Sequence, residues 1–159
     1  MNRVGFGFDL HPLVASRPLI LGGVTVASDV GLDGHSDADV LSHAIGEALL
    51  GALALGDLGR HFPDTDPRYR GISSLVLLGH VIELVRGRGG VLVNVDATVL
   101  AQAPKLAPHL PEMAKRLASV LGIPVDRTSV KAKSPEGLGL VGRREGIAAM
   151  AVVNVETRE

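Results

Sequence analysis

"RVGFGFDLHP", residues 3–12, alternates bulky apolar side chains with glycines and polar groups. Val4, Phe6, Phe8 and Leu10 fall on one face, Gly5, Gly7 and Asp9 on the other, and His11 continues the Asp9 face. A period of two is the pattern of a half-buried β-strand. Asp9 and His11 therefore project to the same side, and the glycines before them leave space there for another part of the molecule.

Outward from this strand, "LILGGVTVA", residues 19–27, reads as two short strands around Gly22 and Gly23, a hairpin signal. Ser36 or Asp37 is a candidate cap for an Ala- and Leu-rich helix running to about Leu55. Residues 56–71 show no apolar period, and connections of that length in compact domains are usually functional or disordered. A second helix follows, with serines at its start, glycines at its end, and Leu75, Leu78, Ile82 and Val85 on one stripe. "VLVNVDATVLAQ" alternates as a strand, "APKLAPHLPEM" is stiff and proline-rich, and a third helix runs to about Leu121. "TSVKAKS" and "GIAAMAVVNVE" read as final strands separated by a Gly-rich turn over 137–146. The expectation is α/β (α+β): a single domain over 1–159 with one mixed β-sheet covered by helices.

The core must be aliphatic, because the chain has three Phe, one Tyr and no Trp. Such a core buries less area per residue, and association between subunits would help it. Sixteen basic and seventeen acidic residues give a net charge of −1. Together with the scarcity of aromatics, this argues against a nucleic-acid partner. No Cys is present, which excludes disulfides, thiolate metal sites and a Cys nucleophile. The N-terminus lacks the apolar region of a secretory signal, and "AIGEALLGALALG" is too short to span a bilayer. A cytoplasmic protein with no membrane partner is the expectation.

Asp9 and His11 on the strand, with His43 on the proposed first helix, make an Asp-His-His set. Two nitrogens and one oxygen suit Zn²⁺ and leave a fourth position free, as catalytic zinc sites do. Asp39 and Glu47 share the helix face of His43 at intervals of four and are candidates to orient it. The bland alternative is that Asp9 caps a turn and His43 is a surface histidine beside an acid. His35 and Ser36, ahead of a helix N-terminus, could bind phosphate. Lys131, Lys133, Ser134 and Glu136 at a strand end suit an anion with a hard ion such as Mg²⁺, although a solvated Ser-Pro turn explains them as well. Asp57, Asp64 and Asp66 could hydrogen-bond a polyol. His61, His80 and His109 read as surface or structural. No nucleophile elbow, Walker loop or dinucleotide fingerprint is present.

Six blocks, "GFDLH", "GHSDADVLSHA", "LGDLGRHFPDTDP", "NVDATVLAQAPKLAPHL", "VKAKSPEGLG" and "GRREGIA", occur in this order. Over essentially the whole chain they resemble the 2-C-methyl-D-erythritol 2,4-cyclodiphosphate synthase family of non-mevalonate isoprenoid biosynthesis. The resemblance implies a phosphorus–oxygen lyase. It would convert 4-diphosphocytidyl-2-C-methyl-D-erythritol 2-phosphate to the 2,4-cyclodiphosphate plus CMP, the 2-phosphate attacking the β-phosphorus. It implies that Asp9, His11 and His43 hold zinc, and that Glu136 faces a second ion, Mg²⁺ or Mn²⁺. His35 and Ser134 match positions that stabilise the transition state. Asp9, Leu10, His11, His35, Ser36, Asp57, Leu58, Gly59, Phe62, Pro63, Asp64, Thr65 and Asp66 match substrate contacts. Ala101, Gln102, Ala103, Pro104, Lys105, Leu106 and Ala107 match the cytidine pocket, and Lys133, Ser134, Pro135 and Glu136 the diphosphate end. The family is a homotrimer with its active sites between subunits.

Several positions depart from that pattern. Residues 133–135 are often threonine-rich in the family, whereas Lys133 here adds a cation, Ser134 keeps a hydroxyl, and Pro135 removes an N–H. Some members bind an isoprenoid diphosphate on the trimer axis through an aromatic residue and an arginine. Here Arg143 is kept but Leu140 stands at the aromatic position. Two competing functions stand beside it: a zinc phosphohydrolase, which uses the same three ligands but has no need of "AQAPKLAP", and an isoprenoid-diphosphate-binding trimer, which keeps Arg143 but has no need of Asp9 and His11.

Overall fold

The computed structural model describes residues 1–158 of the single domain expected over 1–159; Glu159 lies outside them. Strand β1 (Asn2–Val14) forms as the alternation predicts. Strands β2 (Leu19–Leu21) and β3 (Val24–Val26) make a hairpin turned by Gly22 and Gly23, at φ 56° and 73°. Two positive φ values in succession belong to the turn that suits a tight hairpin, and glycine adopts them without strain. The short β4 (Gly31–Leu32) then leads to helix α1 (Val40–Ala52). The stretch without apolar period holds a one-turn helix, α2 (Leu58–His61), and a 3₁₀ turn at Pro67–Tyr69. Helix α3 (Ser74–Gly87), β5 (Gly90–Leu100), helix α4 (Leu110–Leu121), β6 (Thr128–Lys133), the short α5 (Gly139–Gly142) and β7 (Gly146–Thr157) follow.

Five strands form one mixed sheet in the order β4-β1-β7-β5-β6. The central strand β7 pairs antiparallel with β1, from Asn2 opposite Glu156 to Pro12 opposite Gly146, and antiparallel with β5 on its other side. β5 and β6 are parallel, joined by a crossover through α4, because parallel neighbours cannot be joined by a tight hairpin. The β2–β3 hairpin stands apart from the main sheet.

Helix α1 begins later than Ser36 or Asp37. Its N-cap is Asp39, whose side chain accepts the Ser42 N–H at 3.1 Å and the Ser42 hydroxyl at 2.7 Å. The same carboxylate also accepts the Gly22 and Gly23 N–H groups at 2.9 and 2.8 Å. Asp39 is fully buried and thereby ties the hairpin to the start of α1. The helix stops at Ala52, short of Leu55, because Ala54 turns into the left-handed region at φ 55°.

The two faces of the sheet differ sharply. Helix α1 lies across β1 and β7, with α3 stacked on α1 and α4 against β6. This covers the Gly5–Gly7 face of β1. A Cβ on Gly5 would stand 1.8 Å from the Ala48 carbonyl oxygen, and one on Gly7 1.9 Å from that of Ala44. The helix backbone therefore rests directly on the strand backbone, an approach open only to glycine. β1 is half-buried, but its bulky apolar face is the uncovered one: Val4 is 71% exposed, Phe6 64%, Phe8 52% and Leu10 38%. Val152, opposite Phe6 on β7, continues this surface at 43% exposure.

Gly7→Ala is expected to destabilise the fold by at least about 3 kcal/mol, since neither backbone can give way without shifting an element. It should also weaken metal binding, because α1 carries His43. Chemical denaturation and a metal titration of the variant measure both effects, and a variant as stable as the parent would refute the close contact.

Candidate metal centre and cavity

On β1 the covered face runs Gly5, Gly7, Asp9, His11, so the two polar residues emerge where the glycine contact with α1 ends. His43 lies on α1 one residue before Ala44, at the same crossing. Asp9 Oδ2 is 2.9 Å from His11 Nε2 and 2.9 Å from His43 Nδ1, and the two nitrogens are 3.2 Å apart. Asp9, His11 and His43 are thus a cluster able to hold a metal ion. Tetrahedral zinc with bonds near 2.0–2.1 Å separates its ligand atoms by about 3.3 Å, so this triangle needs to open by only a few tenths of an ångström. The donor set fits a divalent ion. Neither bland alternative describes these residues: Asp9 caps no turn, and the His43 side chain is only 13% exposed.

Electrostatics at the triad follow from the same geometry. Burial pushes the Asp9 carboxyl up, but hydrogen bonds and charge from His11 and His43 outweigh it and hold it well below the usual range. Burial also depresses His11, yet the Asp9 hydrogen bond and charge, helped by the Asp33 carbonyl, leave it raised. An anion held between two imidazoles is a place prepared for positive charge.

The surrounding contacts correct one expectation. Asp39 and Glu47 do not orient His43: Asp39 is consumed by the helix cap and the hairpin, and Glu47 accepts the Leu58 N–H at 3.1 Å, anchoring α2. Burial raises the Glu47 carboxyl. The partners of the histidines lie elsewhere. His11 Nδ1 is 2.8 Å from the Asp33 carbonyl, which can only accept, so Nδ1 carries the proton and Nε2 faces the triad. His43 Nε2 is 2.8 Å from Ser74 Oγ and 3.2 Å from Ser36 Oγ. The sequence marked Asp37 only as a candidate helix cap and gave neither it nor Ser74 a place in the site. Ser74 was legible only as part of a helix start.

The triad opens into a cavity of about 330 Å³ that brings together His35, Ser36, Leu58, Phe62 and Asp64, with Tyr69 completing the wall. His35 Nε2 is 3.1 Å from the Asp66 carbonyl. With the helix start at Asp39, the N–H groups near His35 and Ser36 are largely engaged: Ala38 donates to Ser36 Oγ, Asp39 to Asp37 and Ser42 to Asp39. The other loop carboxylates work locally, Asp57 capping α2 and Asp66 pairing with Arg68. Gly59, Pro63 and Thr65 are absent from this wall, and Leu10 turns its side chain to the opposite face of the sheet. His61 Nε2 donates to the Leu55 carbonyl at 2.9 Å, and His80 stacks on Phe62.

A separate cavity of about 280 Å³ lies at the ends of β5 and β6, among Ala101, Gln102, Pro104, Lys105, Leu106 and Ala107, and is closed by Lys133 and Ser134. Ala103 lies within this loop without lining the cavity. Gln102 accepts the Gly137 N–H at 2.9 Å and so ties the 133–137 turn to this loop. Glu136 sits in that turn at φ 54°, exposed and outside any metal-binding cluster among the described residues, with Pro135 before it. Leu140 and Arg143 line neither cavity, and Arg143 pairs with Glu145 at 2.6 Å. The two cavities share no residue. Among the described residues no helix is long and apolar enough to cross a membrane.

Residues 2–156 match the YgbB family, and the chain belongs to that family. It is 58% identical over 156 residues to the 2-C-methyl-D-erythritol 2,4-cyclodiphosphate synthase of Geobacter sulfurreducens, covering 98% of this chain and 99% of that one. Its fold superimposes on the bifunctional IspDF from Campylobacter jejuni with a TM-score of 0.95 at 40% identity, matching all of this chain and 43% of that longer protein. A CDP-bound structure of a 2C-methyl-D-erythritol-2,4-cyclodiphosphate synthase gives a TM-score of 0.89 at 40% identity, over 97% of this chain and all of the other.

His43→Ala is expected to keep the fold and to bind zinc at least about 100-fold more weakly than the parent in a chelator competition. Unchanged circular dichroism with stoichiometric zinc still bound would remove His43 from the ligand set.

Proposed function

With membership of the YgbB family as the premise, we propose that this protein is a phosphorus–oxygen lyase of non-mevalonate isoprenoid biosynthesis. It converts 4-diphosphocytidyl-2-C-methyl-D-erythritol 2-phosphate to 2-C-methyl-D-erythritol 2,4-cyclodiphosphate and CMP. The observation that carries this reading is the Asp9–His11–His43 triad opening into a cavity that also holds His35. The chain has no Cys and no nucleophile motif, and this reaction needs none. An oxygen of the substrate's 2-phosphate bonds to the β-phosphorus, and the bond from that phosphorus to the bridging oxygen breaks. CMP leaves with the electron pair.

Catalysis then rests on folding the substrate into a reactive shape and neutralising phosphate charge. Asp9, His11 and His43 would hold Zn²⁺, and Glu136 would face a second ion, Mg²⁺ or Mn²⁺; the chemistry such ions would supply is Lewis-acid polarisation and charge neutralisation at the phosphates. His35 lines the cavity wall beside Phe62 and Tyr69, where it would stabilise charge developing on the phosphate. Ser134 Oγ accepts the Glu136 N–H at 3.1 Å, which leaves its hydroxyl proton free to donate to a phosphate oxygen. Lys105 and Lys133 flank the cavity that takes the cytidine diphosphate end. Ser36, Asp57, Leu58, Gly59 and Phe62 to Asp66 hold the methylerythritol.

The enzyme is a cytoplasmic homotrimer with its active sites between subunits. Two features support this assembly. The metal and nucleotide cavities of one chain have disjoint walls, and the exposed apolar strip from Val4 to Leu10 needs a cover.

A ³¹P NMR time course with the cytidine-linked substrate tests the chemistry. A cyclic diphosphate and CMP should appear, and both should vanish when zinc is chelated; release of inorganic phosphate would instead make the protein a hydrolase. The double variant Phe6→Glu/Phe8→Glu should sediment as a monomer and lose turnover, whereas an unchanged sedimentation coefficient would contradict the proposed interface.

A further inference from the structure

Ser74, in the first turn of α3, has no part in the function proposed above, yet it is 1% exposed and touches a metal-binding imidazole. Its hydroxyl makes a short hydrogen bond to Asp37 Oδ1. Asp37 Oδ2 accepts the Ser74 backbone N–H at 3.0 Å, and Oδ1 also faces the Asp39 N–H at 3.1 Å. Three donors converge on Asp37, and an ionised carboxylate only accepts. The Ser74 proton is therefore directed to Asp37, which leaves the Ser74 oxygen as an acceptor for His43 Nε2 at 2.8 Å. Ser36 Oγ stands farther from Nε2, at 3.2 Å, and already accepts the Ala38 N–H at 3.1 Å.

We propose that Asp37 and Ser74 are positioning residues that hold His43 as its Nε2–H tautomer and so present the Nδ1 lone pair to the metal. A metal-binding histidine commonly donates its other N–H to a fixed acceptor, and that contact sets the ring orientation as well as the tautomer. The two histidines of the triad solve this differently. His11 is locked through Nδ1 by a backbone carbonyl and offers Nε2. His43 is locked through Nε2 by a carboxylate–hydroxyl relay and offers Nδ1. The relay also runs between elements: Asp37 precedes α1, while Ser74 opens α3. The start of α3 is thereby coupled to occupancy of the metal centre. This inference rests on the metal reading of the triad and is independent of the substrate's identity.

The test uses zinc-loaded, ¹⁵N-histidine-labelled protein, in which the metal would replace the proton between His43 Nδ1 and Asp9 Oδ2, with two-bond ¹H–¹⁵N spectra to read the His43 Nε2–H and a chelator competition to read zinc affinity. The parent should show one Nε2–H signal for His43, protected from solvent exchange. Ser74→Ala removes the acceptor, and Asp37→Ala frees the hydroxyl to turn its proton toward Nε2; both should lose that protection. Zinc affinity should fall about 10- to 100-fold in each, with circular dichroism unchanged. Variants that bind zinc within twofold of the parent would overturn the relay. So would variants that lose affinity while the His43 Nε2–H stays as protected as in the parent, since the loss would then come from packing. A parent that binds no zinc at all would instead overturn the metal reading itself.

Discussion

Contact between the backbones of β1 and α1 is the constraint on which the rest depends. Where Gly5 and Gly7 meet the carbonyls of Ala48 and Ala44, no side chain separates strand from helix. The helix sits deeper on the sheet than side-chain packing would allow, and the next residues on that face, Asp9 and His11, meet the helix where His43 projects. The ångström-scale triangle of ligand atoms is thus set by an approach that one methyl group would abolish. The same choice decides the other side of the sheet: with glycines inward, Val4, Phe6, Phe8 and Leu10 are turned outward.

Much of this was readable beforehand, and what was not has a physical reason. Alternation located β1 and β5, an apolar stripe located α3, capping residues with Ala and Leu content located α1, and the paired glycines located the hairpin. The glycines of β1 marked their face as open to close approach, but not as the covered one, because the usual rule ranks faces by side-chain hydrophobicity and glycine contributes none. The helix start was misplaced for a related reason. Ser36, Asp37 and Asp39 are all acceptable caps by local chemistry, and Asp39 prevails through the Gly22 and Gly23 N–H groups, which belong to a distant turn. Within the site, Asp9, His11 and His43 were found by spacing. Asp37 and Ser74 were not, since a contact across 37 residues leaves no periodic trace.

Charge in this molecule is arranged locally. The chain is almost neutral overall, yet Asp9 lies between two imidazoles and Asp39 is buried among four donors. Each buried carboxylate is matched by donors from elements far apart in sequence, so each also acts as a junction. Asp39 joins the hairpin to α1, and Asp37 joins α1 to α3. Polar groups, rather than aromatic bulk, define how the helices sit around an aliphatic core.

The place of β7 in the sheet has a consequence for synthesis. It is the central strand, yet every other strand precedes it along the chain. It pairs with β1 almost end to end, and the Met1 ammonium donates to the Thr157 carbonyl at 2.7 Å. As the chain emerges from the ribosome N-terminus first, β1 has no main partner and α1 only part of its seat until the last strand appears. Contacts spanning almost the whole chain close late and slowly. Until then the nascent chain shows both faces of a glycine-rich, phenylalanine-bearing strand to its surroundings, and this is the interval in which a ribosome-associated chaperone has the most to shield.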